Sequence, residues 1–308
     1  HEAISWMIQG VLWISRQSYG MLTIGHVPFL WVLLFYFMTG LWIWKKNGQN
    51  RHIRISLAYV IMIILIWIPM ARRKSLAFLD VGQGDCFVAD TKSGAIIFDG
   101  GSSSEDQVGR YRILPYMKYL GYQKIQIAVI SHMDIDHYSG IKELLEMGKI
   151  KYLGLPEIPK DETMKKIIGI AKKRGTTIFY LSRGRQITTK DGSLKVLHPQ
   201  KNSQMEKNAA SLVMQGKILG YRVLLTGDVE KEGEEELLSE ELERADILKA
   251  AHHGSKNSTS NEFLQKVQPK QTVISCGKQN RYGHPHLETI HRLQTYRTKI
   301  YRTDRSGA

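Results

Sequence analysis

The chain has 308 residues, two cysteines and a formal net charge of +14, from 43 Lys and Arg against 29 Asp and Glu. That length allows two domains, and Cys86 and Cys276, each in a strand-like run where a free Cys acts as a small apolar residue, exclude a disulfide framework. Residues 1–74 hold 8 basic and 1 acidic residue and the remainder 35 and 28, so the first excess fits membrane flanks and the second is a mild basic bias compatible with a polyanionic substrate.

The chain starts at His1 and stops at Ser306-Gly307-Ala308, and reads as a piece of a longer protein. Residues 2–24 carry Ile4, Trp6, Met7, Val11, Leu12 and Ile14 with few charges, the pattern of an interfacial helix or the remnant of a span. Two uncharged runs follow, 28–44 (PFLWVLLFYFMTGLWIW) and 55–70 (ISLAYVIMIILIWIPM). With their flanks each approaches the roughly 20 residues that cross a bilayer, so spans are expected at about 27–44 and 54–71. Trp and Tyr near their ends add an interfacial signature, and the lack of a small-residue cleavage site excludes a signal peptide. The connection carries Lys45, Lys46, Arg51 and Arg54; the far flank carries Arg72, Arg73 and Lys74. The positive-inside rule then puts the connection in the cytoplasm. The expectation is a multi-pass membrane region over 1–74 and an extracytoplasmic domain over 75–308.

From Ser75 the texture is globular. Strands are expected at 76–81, 86–90 and 95–98, the first closed by Gly82-Gln83-Gly84-Asp85 and the third by Asp99-Gly100-Gly101. A helix over 111–120 stops at Gly121. The run 125–130 (IQIAVI) reads as a buried strand, and 131–140 (SHMDIDHYSG) as a loop before a helix over 141–147. Further strands are expected at 151–155, 177–181, 192–198, 211–215, 221–225, 246–251 and 272–276. Helices are expected at 161–174, capped by Asp161, at 230–242, at 262–267 and from Leu287.

The loop at 131–140 is the densest chemical signal. His132, Asp134, Asp136 and His137 put imidazole and carboxylate donors at near-alternate positions, a set that suits divalent cations. Helix capping explains one or two of the four, not the set. Other strands also end in polar clusters: Asp85, Asp99, Asp228, His252 with His253, and His284 with His286. Strand ends on one edge of a sheet converge in space, so the recurrence points to one site.

The stretches LDVGQGD (79–85), IIFDGG (96–101), SHMDIDHYSG (131–140), LLTGDVE (224–230), LKAAHHGS (248–255) and NRYGHPH (280–286) resemble the metallo-β-lactamase-like C-terminal domain of the ComEC family. These are the membrane proteins of bacterial natural transformation, and two spans immediately before the domain match the end of that family's competence region. The resemblance implies an α/β fold, an αββα sandwich preceded by transmembrane helices. It also implies a metal site of His132, Asp134, Asp136, His137 and Asp228, with His252 or His253 completing it. Where the superfamily has H-x-H-x-D-H, this chain has Asp134 at the second His position. Where a further His is expected before the 211–215 strand it has Asn208 and Ser211, His198 lying too far upstream. Oxygen in place of nitrogen favours two harder ions, Mn²⁺ or Mg²⁺, over Zn²⁺.

The expected function is a membrane-tethered, metal-dependent nuclease that degrades one strand of incoming DNA alongside other components of the uptake machinery. Asp85 and Asp99 would orient ligands, Asp136 would act at the metal, and His284 or His286 would protonate the leaving oxygen or complete the ligand set. Lys278 and Arg281 would hold phosphate, with Asn208 and Ser211 on the substrate side. Two rival readings use the same fold: a hydrolase of a small ester, lactone or nucleotide, and a non-catalytic module that guides DNA.

Overall fold

A computed structural model describes residues 2–16, 23, 25–44, 53, 56–62, 74–205 and 208–306. They fall into two compact units, His1–Arg72 with Lys118–Gln123, and Arg73–Met117 with Lys124–Ala308. In the first unit α1 spans Glu2–Arg16 and α2 spans Phe29–Trp44. Both leave large apolar side chains exposed, Trp6 and Trp13 on one and Phe29 and Leu30 on the other. The first expected span corresponds to α2, whose 16 residues measure about 24 Å at 1.5 Å each, short of a hydrocarbon core of about 30 Å. Residues 56–62 of the second are helical, and 54–55 and 63–71 lie outside the described residues. Among the described residues no helix is long and apolar enough to cross a membrane.

The second unit packs two sheets face to face. Strands β1 (Leu76–Phe78), β2 (Phe87–Thr91), β3 (Gly94–Phe98), β4 (Ile125–Val129), β5 (Ile150–Pro156) and β6 (Thr177–Leu181) form the first, in that order. It is antiparallel as far as β3 and parallel from β3 onward. The second has β7 (Gln186–Thr189), β8 (Gly192–His198), β9 (Val213–Ile218), β10 (Tyr221–Leu225), β11 (Ile247–Lys249), β12 (Gln271–Ile274) and β13 (Lys299–Arg302). It too is antiparallel in its first half, through β10, and parallel from β10 to β13.

Alternation along each strand divides the core in two. Val223 and Leu225 of β10 pack between the sheets with Phe87, Phe98 and Val129, whereas Leu224 packs outward with Phe263 and Leu293. Val213 and Met214 of β9 divide in the same way. Each such Val or Leu buried from water contributes about 1.5–3 kcal/mol. The helices are α3 (Leu114–Tyr119), α4 (Ile135–Glu146), α5 (Glu162–Lys173), α6 (Lys231–Leu238), α7 (Asn261–Val267), α8 (Leu287–Thr295) and α9 (Thr303–Ser306). Asp161 caps α5 as expected, its carboxylate accepting the Met164 amide at 2.7 Å. The outcome is the αββα sandwich.

Local differences from the sequence reading bear on the site. The helix expected from Ile141 begins at Ile135, because the stripe of Ile141, Leu144 and Leu145 marks only the face on the sheet. Asp136 and His137 therefore lie in the first turn of α4 rather than in a loop, with Asp134 at its N-cap. The strand expected at 246–251 stops at Lys249, since the chain then turns through His252 and His253 at φ 48° and 52°, the left-handed region. The strand expected at 76–81 ends at Phe78, and β7 and β13 were not foreseen at all.

Candidate metal centre

Parallel strands from both sheets end at one edge, and their following loops supply the side chains. Two glycines let those loops meet. A Cβ on Gly101 would lie 2.5 Å from the Ile135 carbonyl oxygen and 2.6 Å from the His137 nitrogen; one on Gly84 would lie 2.2 Å from the Gly101 oxygen. Only bare backbone fits there. The contact is locked by hydrogen bonds from the Asp85 amide to the Asp136 carbonyl (3.1 Å) and from the Gly100 amide to the His137 carbonyl (2.9 Å).

Asp85, His137, Asp228 and His253 converge, with one donor atom from each lying within 4.8 Å of the others, and all four are buried. Asp228 Oδ2 is 3.2 Å from Nε2 of both His137 and His253, and Asp136 Oδ2 is 3.3 Å from His253 Nε2. The far side of each ring is anchored. His253 Nδ1 donates to the Ser275 carbonyl at 2.9 Å, and His137 Nδ1 to Asp99 Oδ2 at 3.0 Å. An acceptor on Nδ1 fixes the tautomer and turns the Nε2 lone pair inward, as in metal-binding histidines. The Nε2 atoms of His132, His137 and His253 are buried and make no hydrogen bond. Imidazole nitrogens turned toward buried carboxylates are costly unless a proton or a metal ion joins them, and this mixed nitrogen and oxygen donor set fits a divalent metal.

One cation is already built in. Lys249, the last residue of β11, is buried, with Nζ against Asp85, 3.2 Å from Asp228 Oδ1, and donating to the Gly227 carbonyl at 2.7 Å. Burial opposes ionisation of Asp85, yet the Lys249 ammonium and then His253 outweigh it and hold the carboxyl well below its usual range. Asp228 is likewise held low, against its burial, by His137, His253 and Lys249. Burial would lower His137 and His253, but Asp228 with Asp99 and Asp228 with Asp85, respectively, raise both rings well above the ordinary value. A proton and a metal compete for those nitrogens.

The remaining expected residues are distributed around this cluster. His132 is buried, its ring 4.2 Å from that of His137 and its Nε2 3.7 Å from Asp134 Oδ2. His252 sits at the rim, with Nε2 3.8 Å from Asp228 Oδ2 and Nδ1 2.9 Å from Glu230 Oε1. Asn208, Arg281 and His284 line the cavity of about 270 Å³ that opens onto the cluster. Ser211 lies beneath it, its hydroxyl accepting the Asp228 amide at 3.2 Å. Lys278 lines a neighbouring cavity, and His286 stands behind His284 as the N-cap of α8, its Nδ1 accepting the Lys256 amide at 3.3 Å. His284 is pushed down to about 4, chiefly by burial and then by the neighbouring histidines. Held that low, the ring is neutral at pH 7 and a weak base, which suits meeting a metal better than the expected donation to a leaving group.

Sequence reasoning passed over Lys249 and Tyr282. A charged residue inside the apolar run ILKAA was the available signal for Lys249, since parallel strands covered on both faces rarely tolerate one. Tyr282 carried no signal beyond its place between Arg281 and His284.

Residues 79–278 match the metallo-beta-lactamase superfamily. The chain is 34% identical over 283 residues to ComE operon protein 3 of Bacillus subtilis, covering 85% of this chain and 36% of that protein. It is 30% identical over 239 residues to competence protein ComA of Neisseria gonorrhoeae, covering 74% of this chain and 31% of that protein. The chain thus spans about a third of the length of the curated relatives it matches. Among solved structures it is similar in fold to the metallo-beta-lactamase fold protein YhfI of Bacillus subtilis. There the TM-score is 0.52 at 13% identity, covering 76% of this chain and 98% of that one.

Proposed function

Because the chain belongs to the metallo-beta-lactamase superfamily and its curated relatives are competence proteins of the ComEC type, we propose that its site is a metal-dependent phosphodiesterase acting on DNA during uptake. The observation that carries the reading is the set of orphaned, inward-turned imidazole nitrogens beside Asp228 at the floor of an open cavity. His137, Asp228, His253 and Asp136 would hold metal, with His132 and Asp134 adjoining, and the share of oxygen donors favours Mn²⁺ or Mg²⁺. Two bound ions would supply Lewis-acid polarisation of a phosphoryl group. The protein's own part is to fix that geometry. Asp99 and the Ser275 carbonyl hold the two rings, Ser211 and Lys249 hold Asp228, and Arg281 at the cavity wall meets the phosphate. Neutral His284 at the cavity wall would offer a ring nitrogen to the substrate or complete the ligand set. The apolar α1 and α2 side chains left exposed support a membrane-tethered setting, with residues 75–308 as the hydrolase domain.

A second reading, a DNA-guiding module without turnover, draws on Lys249, whose ammonium already neutralises part of the carboxylate charge. Turnover of DNA and of a chromogenic phosphodiester by the chain with Mn²⁺, Mg²⁺ or Zn²⁺ separates the two. Asp228→Asn should lower cleavage by orders of magnitude while weakening DNA binding far less, because binding comes mainly from basic side chains meeting phosphates. Cleavage at the wild-type rate by D228N refutes the hydrolase, and DNA binding with no cleavage under any metal favours the guiding module.

A further inference from the structure

The loop after β12 is rigidly built around one side chain. The Asn280 amide nitrogen donates to the Gly277 carbonyl at 2.8 Å and to the His284 carbonyl at 2.6 Å. Its oxygen accepts the Tyr282 amide at 3.2 Å and the His284 amide at 3.0 Å. Pinned this way, the loop projects Arg281 and Tyr282 outward. Tyr282 is 43% exposed; its ring stacks on His284 with centroids 5.7 Å apart and planes 21° apart, and the Arg281 guanidinium lies 4.9 Å from the ring centroid and donates to the Tyr282 hydroxyl at 2.7 Å. An aromatic and a cation are thus stacked outward from the metal centre.

That column is a partition. On one side lies the cavity over the metal centre; on the other lies a second, of about 230 Å³, and Arg281 and Tyr282 line both. The second cavity has Ser104, Lys278 and Gln279 in its wall. The two cavities adjoin through Arg281 and Tyr282, so a nucleotide with its phosphate over the centre has this pocket as its neighbour. An aromatic ring and a guanidinium plane are the two surfaces on which unstacked bases settle in single-strand recognition.

We propose that the cavity beside the metal centre, walled by Tyr282 and Arg281, takes the unpaired base of the nucleotide whose phosphate is cleaved, and so selects single-stranded substrate. The inference rests on the phosphodiesterase reading above. A duplex would have to surrender a base from its stack to fill the pocket. Because Asn280 spends its whole amide on the loop backbone, it shapes the pocket and does not itself read base edges.

The test uses the full chain in Mn²⁺ with phosphorothioate strands carrying one 2-aminopurine at successive positions. The same strand annealed to its complement, and a strand of abasic sites, complete the set. Stacking should quench the fluorophore at one position, and the intact single strand should bind at least tenfold tighter than either alternative. Tyr282→Ala should abolish quenching and weaken single-strand binding roughly 5- to 150-fold, the range of one base–aromatic stack, whereas Tyr282→Phe should retain both. Equal binding of abasic and intact strands, or wild-type affinity and quenching in Y282A, overturns the base pocket while leaving the phosphodiesterase reading intact if unmodified DNA is still cleaved. A wild-type chain that neither binds these strands nor cleaves their unmodified counterparts overturns both.

Discussion

Replacing Lys249 by methionine keeps the length and apolar stem of the side chain and deletes only its ammonium. That ammonium lies 3.2 Å from Asp228 Oδ1 and against Asp85, all three groups buried. At an effective dielectric of about 20, a unit charge pair at that separation attracts by about 5 kcal/mol before desolvation. Removing one partner of a buried pair costs about 3–5 kcal/mol, because the other charges stay behind uncompensated. In EDTA the K249M chain should therefore melt roughly 6–20 °C below wild type, at about 2–4 °C per kcal/mol for a unit of this size. Added Mn²⁺ should then raise the melting temperature of K249M by more than it raises that of wild type, since Asp85 and Asp228 Oδ1 have become open to an external cation. The assay is a pair of thermal melts for each protein, with EDTA and with saturating Mn²⁺. Melting of K249M within about 2 °C of wild type in EDTA would refute the claim that Lys249 neutralises the centre, and equal Mn²⁺ shifts would refute the substitution of one cation for another.

His198, buried at the end of β8 with Nε2 donating to the Ala209 carbonyl at 2.7 Å, has its pKa lowered below 6.5, chiefly by burial. The unfolded chain then takes up a proton at a pH where the folded chain does not, so this contribution is complete above about pH 6.5 and is lost as pH falls beneath it, by up to about 1.4 kcal/mol per unit. His198→Gln, which keeps an N–H for Ala209, should flatten the fall of the urea midpoint between pH 7.5 and 5.5; identical slopes would show the group is not linked to folding. Gly101→Ala puts a methyl group on the Ile135 and His137 backbone, so it should cost about 1–3 kcal/mol and weaken Mn²⁺ binding measured by chelator competition. Unchanged metal affinity would mean that the start of α4 is not held by that contact.

Much of the sandwich was open to sequence reading because its strands obey simple patterns. IQIAV, TIFYL and YRVLL are short β-branched or aromatic runs bounded by turn residues, and strands occupy all three places. The edges were harder. QITT and KIYR are polar or mixed, since an edge strand has less to bury, and pattern alone does not separate them from loops. The start of α4 was misplaced for a related reason: DIDH has no apolar stripe, because that turn faces the cluster rather than the sheet. At the site, residue type and recurrence at strand ends were enough to gather His132, Asp136, His137, Asp228 and His253. What they do not encode is distance. Whether His252 or His253 turns inward depends on two successive left-handed residues, and the buried placement of Lys249 depends on the opposing sheet bringing Asp85 to meet it.

The centre draws on both halves of the chain. Asp85, Asp99 and the residues from His132 to His137 follow strands of the first sheet, while Asp228, Lys249 and His253 belong to the second. On a ribosome, Asp85 emerges about 170 residues ahead of His253, an interval of roughly 10–30 s at ordinary elongation rates. Until then the nascent chain holds a crowded set of carboxylates with neither the lysine nor the imidazole that completes it. The donor set is thereby completed only once both sheets have been made, and a chain cut between Asp85 and His253 carries no assembled centre.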